Sequence, residues 1–317
     1  MKMRVDRSGF TLIELAVGLA IIGVLVAIIL PAVQAARSSS RRTECASHLR
    51  QIGLAMSQYI ATYDSFPIGA AHKSQLLPYL DQQNLYREIE GSRVGRKFPD
   101  WEQFKAQVIP IYLCPADPTP TVISEKNSRM SGTNYAACSG TGLQRDGTNG
   151  IFNIGFTHAL YPGGYVKPAG VRDGFSNTAA FAEILRADGT HHRLRTNWKT
   201  LFPMTLPEEL DAFAATCDAI PEEPENYGYS GAVFERGTPW YAGAYNDGMY
   251  NHVLPPNRPS CINGNYIQLG ASTASSFHAQ GATVLIADGH VRFVNANISR
   301  DLWRELGSRV ARNLIEQ

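Results

Sequence analysis

Residues 9–31 read GFTLIELAVGLAIIGVLVAIILP, and the stretch from Leu15 to Leu30 carries no charged side chain. As a helix, residues 10–30 would be about 31 Å long, which matches the roughly 30 Å hydrocarbon core of a bilayer. Glu14 is the charged residue in this segment, and a carboxylate at that depth is costly unless a partner neutralises it. The stretch therefore predicts a membrane-spanning helix that carries an acid with a partner.

The flanks of this helix leave two ordinary explanations open. Residues 1–9 form a short polar leader, and Val33-Gln34-Ala35 resembles the cleavage site of a secretory signal peptide. A plain signal anchor is the other explanation. Basic residues stand on both sides of the apolar segment, namely Lys2, Arg4 and Arg7 before it and Arg37, Arg41 and Arg42 after it. The positive-inside rule therefore does not decide the orientation.

The junction after Gly9 resembles a known processing signal. The run GFTLIE at residues 9–14 is similar to the prepilin cleavage and methylation motif. The resemblance implies that a prepilin peptidase/methyltransferase cuts between Gly9 and Phe10 and methylates the new amine of Phe10. Counted from Phe10, Glu14 then takes the fifth mature position, and Pro31 takes position 22, where pilins often place a helix-kinking proline. We therefore expect a prepilin rather than a signal peptide.

Glu14 has a chemical role in this interpretation. Cleavage would leave a free amine on Phe10 beside the membrane surface. In a packed filament, the Glu14 carboxylate of one subunit could pair with the Phe10 amine of its neighbour. The pair would neutralise the buried carboxylate and set the axial register between subunits. We therefore expect Glu14 and Pro31 to serve subunit assembly, together with packing of the apolar helices.

The predicted helix continues beyond Pro31. Apolar residues recur at alternating steps of four and three: Cys45, Leu49, Ile52, Met56, Tyr59 and Tyr63. This spacing places them in one stripe along a helix, and Asp64 and Pro67 end the pattern. The resemblance to pilins implies an α+β fold in which this half of a long N-terminal helix packs on an antiparallel β-sheet.

The expected domain organisation follows from the same patterns. We predict four segments: a leader at 1–9, a transmembrane or filament-core helix at 10–31, an amphipathic continuation at 32–64, and an extracytoplasmic globular domain at 65–317. Clusters of Pro, Gly and Asn predict a loop-rich insertion at about residues 205–265. Residues 236–259 are rich in aromatic and histidine side chains, among them Trp240, Tyr241, Tyr245, Tyr250 and His252. They form either a partner-binding surface or a small satellite core.

A second resemblance covers residues 9–294. Its elements are, in chain order, RRTEC at 41–45, LRQIGL at 49–54, SFP at 65–67, LLPYL at 76–80, LCPAD at 113–117, NY at 134–135, VRDGFSNT at 171–178, Glu183, and His278 with Asp288-Gly289. They resemble a large bacterial family of prepilin-like proteins of unknown function whose tail is the H-X9-DG motif. Nine residues separate His278 from Asp288-Gly289. The resemblance implies a class and a topology rather than a mechanism.

The tail segment also predicts local structure. Residues 282–294, ATVLIADGHVRFV, are expected to form a β-hairpin with Asp288-Gly289 as a two-residue turn. That turn predicts three cross-strand pairs: Ile286 with Val291, Leu285 with Arg292, and Val284 with Phe293. Residues 173–184, DGFSNTAAFAEI, predict another turn that enters a buried strand.

The sequence carries no motif of a familiar catalytic site. GxSxG, the P-loop, GxGxxG and HExxH are absent, and a net charge of +1 gives no field that would attract nucleic acid. We predict that the protein is not an enzyme and needs no cofactor or metal. We expect His278 to make a structural hydrogen bond, with catalysis or ligand contact as alternatives. Asp247, Asn246 and Asn251 offer oxygen ligands to calcium, but without EF-hand spacing.

Five cysteines stand at positions 45, 114, 138, 217 and 261, and the absence of CxxC argues against a zinc ribbon or a thioredoxin motif. Disulfides persist outside the cytoplasm, so we predict a Cys217–Cys261 bridge that closes the loop-rich insertion. Both could instead be buried thiols, which are common for cysteine. A Cys45–Cys114 bridge, which would tie the helix to the sheet, is the second candidate, and it leaves Cys138 unpaired.

These observations favour a structural subunit, a pilin or pseudopilin of a type IV pilus-like or type II secretion assembly. The expected partners are the prepilin peptidase/methyltransferase, other pilin-like subunits and an inner-membrane assembly platform. The protein would cross the inner membrane once, with its C-terminal domain in the periplasm or at the cell surface. The alternative is a membrane-tethered extracytoplasmic binding module that uses the leader only for export. An exported hydrolase is a third alternative, for which the sequence shows no recognisable catalytic site.

Overall fold

A computed structural model of the chain describes residues 11–68, 72–92, 101–125, 128–142, 149–152, 165–190, 192–199, 209–222, 236–243, 247–263, 266–278 and 280–310. Its residues divide into two compact units, one up to Thr43 and one from Glu44 onward. The helices are α1 (Leu12–Tyr63), α2 (His72–Leu76), α3 (Gln83–Gly91), α4 (Leu210–Asp218) and α5 (Arg300–Gly307). The strands are β1 (Val122–Glu125), β2 (Ser128–Ser131), β3 (Tyr135–Cys138), β4 (Ala179–Glu183), β5 (Asn197–Lys199), β6 (Met249–Tyr250), β7 (Ser260–Asn263), β8 (Tyr266–Ala271), β9 (Gly281–Ile286) and β10 (Val291–Asn295).

The first unit contains the N-terminal part of α1. The large apolar side chains between Leu12 and Leu30 are exposed. Within the described residues, α1 is the helix that is long and apolar enough to cross a membrane. Pro31 lies inside α1, where its ring removes one backbone N–H donor from the helix.

The second unit is built around a five-stranded sheet with strand order β10-β9-β4-β3-β6. Its neighbouring strands are antiparallel, apart from β3 and β6, which pair in parallel. Strands β4 and β9 are buried on both faces, as expected for inner strands with continuous apolar sequences. The described residues also form a sheet of order β5-β7-β8, with β5 parallel to β7, and the hairpin β1-β2. The predicted α+β, pilin-like class is confirmed.

The second half of α1 packs into the main core. Five of the six predicted stripe residues are buried: Cys45, Leu49, Ile52, Met56 and Tyr59. Tyr63 is 57% exposed, so its assignment to the core was wrong. The helix ends at Tyr63, Asp64 takes a left-handed turn with φ of 50°, and the next large apolar side chain that enters the core is Phe66. The ring of Tyr63 instead packs on that of Tyr59, with centroids 4.5 Å apart.

At Gly53, helix α1 lies close to strand β9 and the loop that follows it. A Cβ atom at Gly53 would lie 2.8 Å from Cδ1 of Leu285 and 3.4 Å from Cα of Gly289. Separations below about 3 Å are repulsive, so a larger residue would push the helix off the hairpin or displace Leu285. The glycine therefore lets the helix pack directly on the β9–β10 hairpin.

The hairpin forms where the sequence predicts it, but the predicted register was wrong by one residue. Val291 pairs with Leu285 and Arg292 with Val284. The N–H of Ile286 donates to the carbonyl of His290, and the N–H of Gly289 donates to the carbonyl of Ile286. The loop therefore has three residues, with Gly289 at φ of 94° in the left-handed position that closes such loops. A one-residue slip changes every cross-strand pair, so all three predicted pairs were wrong.

Among the described aromatic residues of 236–259, Trp240 and Tyr250 do not form a satellite core of their own. Trp240 and Tyr250 are fully buried in two different clusters of the main core, and His252 is buried against Trp303. Tyr245 lies outside the described residues. The satellite cluster that does exist lies beside the three-stranded sheet and contains Trp198, Phe213, Ala214, Cys217, Ile220, Val253, Leu254, Cys261 and Ala271.

Candidate functional site

The described chain begins at Thr11, so the predicted cleavage and methylation residues Gly9 and Phe10 lie outside it. Helix α1 begins at Leu12, which makes Thr11 its N-cap residue and Glu14 the third helical residue. Thr11 donates to Oε2 of Glu14 from its backbone N at 2.9 Å and from its hydroxyl at 2.8 Å. The N–H of Glu14 donates back to the Thr11 hydroxyl at 3.3 Å. This reciprocal arrangement is a capping box, which satisfies N–H groups that a helix start leaves unpaired.

Thr11 was not singled out as a functional residue from the sequence. The pattern Thr-x-x-Glu ahead of an apolar run is a recognisable helix-start signal, and residues 11–14 fit it. The capping box gives the Glu14 carboxylate a partner within its own subunit. Any assembly role of Glu14 must therefore compete with, or add to, its bonds with Thr11.

A second group of candidate residues comes from α1, strand β4 and two loop segments. Four side chains bring ligand-type atoms within 4.8 Å of one another: Cys45, Cys114, Glu183 and His278. We call them the Cys–Glu–His cluster. Cys45 and Cys114 are joined by a disulfide. Sγ of Cys114 lies 3.9 Å from Oε1 of Glu183 and 3.9 Å from Nε2 of His278, and the last two atoms are 3.7 Å apart.

Hydrogen bonds fix each member of the Cys–Glu–His cluster. The hydroxyl of Tyr135 donates to the carbonyl of Cys45 at 3.1 Å, and the N–H of Cys114 donates to Oδ1 of Asn134 at 3.0 Å. Oε2 of Glu183 accepts from the N–H of Thr283 at 2.9 Å. The N–H of His278 donates to Oγ of Ser276 at 3.1 Å. Hydrogen bonds with neighbouring residues therefore hold the cluster in place.

Asn134 also connects the cluster to a network of buried charged side chains. Nδ2 of Asn134 donates to Oδ2 of Asp117 at 2.6 Å, and Asp117 also pairs with Arg195 at 3.0 Å and Arg186 at 3.7 Å. Burial by itself would raise the pKa of Asp117. Arg195, a hydrogen bond from Thr119 and Arg186 outweigh it and hold this pKa below its usual value. Asp117 is therefore ionised and neutralises part of the charge of two buried guanidinium groups.

The two ends of the predicted tail motif occupy different places. His278 is 8% exposed and belongs to the Cys–Glu–His cluster. Asp288 lies in the exposed hairpin loop, where its carboxylate Oδ1 is 2.6 Å from Nδ1 of His290 and accepts from the N–H of His290 at 3.1 Å. Gly289 supplies the left-handed loop position. The motif therefore combines a cluster residue with a turn that shapes the hairpin beside it.

The other predicted sulfur pair is also joined in the structure. Cys217 at the end of α4 is bonded to Cys261 on β7, and both residues belong to the satellite cluster. Cys138 is a free, buried cysteine, and its thiol donates to the carbonyl of Gly307 at 3.8 Å. Burial raises the pKa of the Cys138 thiol to about 12, so this cysteine is protonated and unreactive.

The oxygen groups considered for calcium do not meet in a described site. Asn251 is buried, and its Nδ2 donates to the carbonyl of Gly270 at 2.8 Å. Asp247 acts electrostatically on buried Lys73, and Asn246 lies outside the described residues. Among the residues that the structure describes, the Cys–Glu–His cluster is the group of His, Cys, Asp or Glu side chains spaced closely enough to share one metal ion.

Helix α1 starts with an apolar segment and with Glu14 in a capping box, and an α+β globular unit follows. These features define a membrane-anchored, prepilin-like protein, and two comparisons agree with this class. Residues 4–30 match the prokaryotic N-terminal methylation motif. Residues 34–301 match the model described as "Protein of unknown function (DUF1559)", and the chain belongs to that family. No curated protein and no solved structure matches the chain.

Proposed function

We propose that this protein is a pilin or pseudopilin, a structural subunit of a type IV pilus-like or type II secretion assembly. A prepilin peptidase/methyltransferase would cut between Gly9 and Phe10 and methylate Phe10. The mature subunit would then join other pilin-like subunits on an inner-membrane assembly platform. The observation that carries the proposal is the start of α1, where an exposed apolar helix of membrane-spanning length begins with a capped glutamate.

One further observation supports the proposed topology. The protein would cross the inner membrane once through residues 10–31, with its globular unit in the periplasm or at the cell surface. Two disulfides lie in the globular unit, and such bonds persist outside the cytoplasm. We further propose that the protein does not catalyse a reaction, because the Cys–Glu–His cluster and the ion network around Asp117 are buried and held by internal hydrogen bonds.

The assembly role of Glu14 can be separated from its capping role by two substitutions. Glu14→Gln keeps an oxygen that can accept from Thr11 but removes the charge that would pair with a neighbour's Phe10 amine. Thr11→Ala keeps the charge and removes the hydroxyl of the cap. Glu14→Gln should lower the amount of protein in sheared filaments by about tenfold or more, because losing one partner of a buried charge pair is costly. Thr11→Ala should be incorporated nearly normally.

The mature N-terminus of each variant is the control, because both substitutions are close to the cleavage junction. If Glu14→Gln is cleaved and enters filaments like the wild type, Glu14 has no charge-pairing role. If Thr11→Ala fails in the same way as Glu14→Gln, the capping box rather than the charge pair governs assembly.

A membrane-tethered binding module is the second candidate function. An open groove of about 1160 Å³ lies between strand β10 and helix α5 and is lined by polar, charged and apolar side chains, among them Arg292, Phe293, Asp301 and Leu302. The buried aromatic residues Trp240 and Tyr250 do not support this function. Abundant mature protein in the membrane fraction that never appears in sheared filaments would favour the binding module over the filament subunit.

A further inference from the structure

We propose a Zn²⁺ site that forms when the disulfide of the Cys–Glu–His cluster is reduced, with four ligands: Cys45, Cys114, Glu183 and His278. The site would hold a structural metal ion rather than a catalytic one, because all four positions of a tetrahedral ion would be filled by protein atoms. When the disulfide is reduced, the metal ion would take over its role of joining α1 to the sheet.

The distances within the cluster fit such an ion. Tetrahedral zinc with Zn–S bonds of about 2.3 Å and Zn–N or Zn–O bonds of about 2.0–2.2 Å separates its ligand atoms by roughly 3.4–3.8 Å. The three measured separations among Cys114, Glu183 and His278 are 3.7, 3.9 and 3.9 Å. One face of the tetrahedron is therefore nearly in place. Breaking the disulfide lets Sγ of Cys45 move to the fourth corner.

The chemistry of the donor set also points to zinc. Two thiolates, an imidazole nitrogen and a carboxylate oxygen are all common zinc ligands, whereas calcium and magnesium prefer oxygen alone. All four residues are at most 8% exposed, so the ion would be shielded from solvent. Glu183 accepts a hydrogen bond from the N–H of Thr283, the N–H of Cys114 donates to Asn134, and the carbonyl of Cys45 accepts from Tyr135. These bonds would orient the ligands from outside.

The exchange between the two states balances in atoms and electrons. A dithiol reductant gives two electrons and two protons to the Cys45–Cys114 disulfide, so that the S–S bond breaks, two S–H bonds form and the reductant becomes a disulfide. Zn²⁺ then forms two Zn–S bonds and releases the two thiol protons to water. The same ligand set is present in the newly made chain before its cysteines are oxidised.

The test uses the full chain in detergent. A phosphine reduces the disulfides and is itself converted to the phosphine oxide. The reduced protein is then separated from the phosphine and its oxide under inert gas. After addition of Zn²⁺ and gel filtration, we expect about one bound zinc per reduced chain and none in the oxidised chain. Zinc should also protect Cys45 and Cys114 from alkylation while leaving Cys217 and Cys261 reactive. The proposal would be overturned if the reduced chain bound no zinc. It would also be overturned if Cys45 and Cys114 were alkylated equally fast in the presence and absence of zinc.

Matched variants locate the metal. His278→Ala and Glu183→Gln should weaken zinc binding by about tenfold or more, because each removes one ligand. His290→Ala, which changes an exposed histidine of the hairpin loop, and the double variant Cys217→Ser/Cys261→Ser should bind like the wild type. Equal binding by His278→Ala and His290→Ala would contradict the assignment.

X-ray absorption of the wild-type zinc complex decides the question if the ligand variants do not fold. We expect two sulfur neighbours at about 2.3 Å and two nitrogen or oxygen neighbours at about 2.0–2.2 Å. A metal shell without sulfur, or one with sulfur alone, would exclude this ligand set.

Discussion

Lys73 on α2 is a cation that the fold buries completely. Its Nζ donates to the carbonyls of Ala242 and Gly248, each at 3.2 Å. Burial lowers the pKa of Lys73 to about 7, although the charge of Asp247 acts in the opposite direction. A lysine with such a pKa changes its charge near neutral pH, whereas an exposed lysine does so near pH 10.

This pKa predicts how stability depends on pH. An unfolded lysine keeps its proton up to about pH 10.4, so between pH 7 and pH 10 the unfolded state binds more protons than the folded state. Lys73 should therefore make the protein more stable as pH rises, by about 2–3 kcal/mol between pH 6 and pH 9. Denaturant unfolding of the full chain at each pH measures this, and Lys73→Met should flatten the rise. The same pH dependence in both proteins would contradict the assigned pKa.

The roles of single residues differ in how far they can be predicted from the sequence. Cys114, Glu183 and His278 each belong to the pattern that resembles a family, but they come from distant parts of the chain and no spacing rule brings them together. Thr11, in contrast, lies three residues before Glu14, and the local pattern Thr-x-x-Glu is enough to predict its capping role. Contacts within a helical turn are readable from sequence, whereas contacts set by sheet topology are not.

The β9–β10 hairpin shows the same limit for elements. The position of both strands follows from the runs of β-branched and apolar residues on either side of the Asp-Gly dipeptide, and both were predicted. The dipeptide fits a two-residue loop as well as a three-residue loop that ends on glycine, and only the backbone conformation of Gly289 distinguishes them. The parallel pairing of β3 with β6 had no local signal, because the two strands are far apart in the sequence.

Gly289 gives a test of this loop. Gly289→Ala should lower the free energy of unfolding by roughly 1–2 kcal/mol, because alanine is strained at a positive φ. A Cβ atom there would meet no other atom within 4 Å, so the cost comes from the backbone alone. Gly91→Ala is the control, since its Cβ also meets nothing within 4 Å but it ends helix α3 without a positive φ. Equal unfolding free energies for the two variants would argue against the three-residue loop.

At the scale of the whole molecule, two cross-links join distant parts of the globular unit. The Cys45–Cys114 bond connects α1 to the chain that precedes the sheet, and the Cys217–Cys261 bond connects α4 to β7. The second bond was predicted as a closure for the loop-rich insertion. It lies inside an apolar cluster that includes Trp198 and Phe213.

The Cys217–Cys261 bond should contribute to stability. It closes a loop with a sequence separation of 44 residues. The chain-entropy model gives roughly 4 kcal/mol for such a loop as an upper estimate. The double variant Cys217→Ser/Cys261→Ser should lose up to that amount in denaturant unfolding. Non-reducing peptide mapping of the exported protein should recover the two cysteine peptides joined, and free, alkylated Cys217 and Cys261 would contradict the bond.

We propose that the chain is a prepilin whose α1 becomes the assembly helix after the leader is removed. Mass analysis of the N-terminus of the protein purified from its native membrane is the most direct test. We expect a mature chain that begins at Phe10 and carries one methyl group on its amine. A chain that begins at Ala36 would show that signal peptidase had removed the whole apolar segment, and the proposal would be wrong.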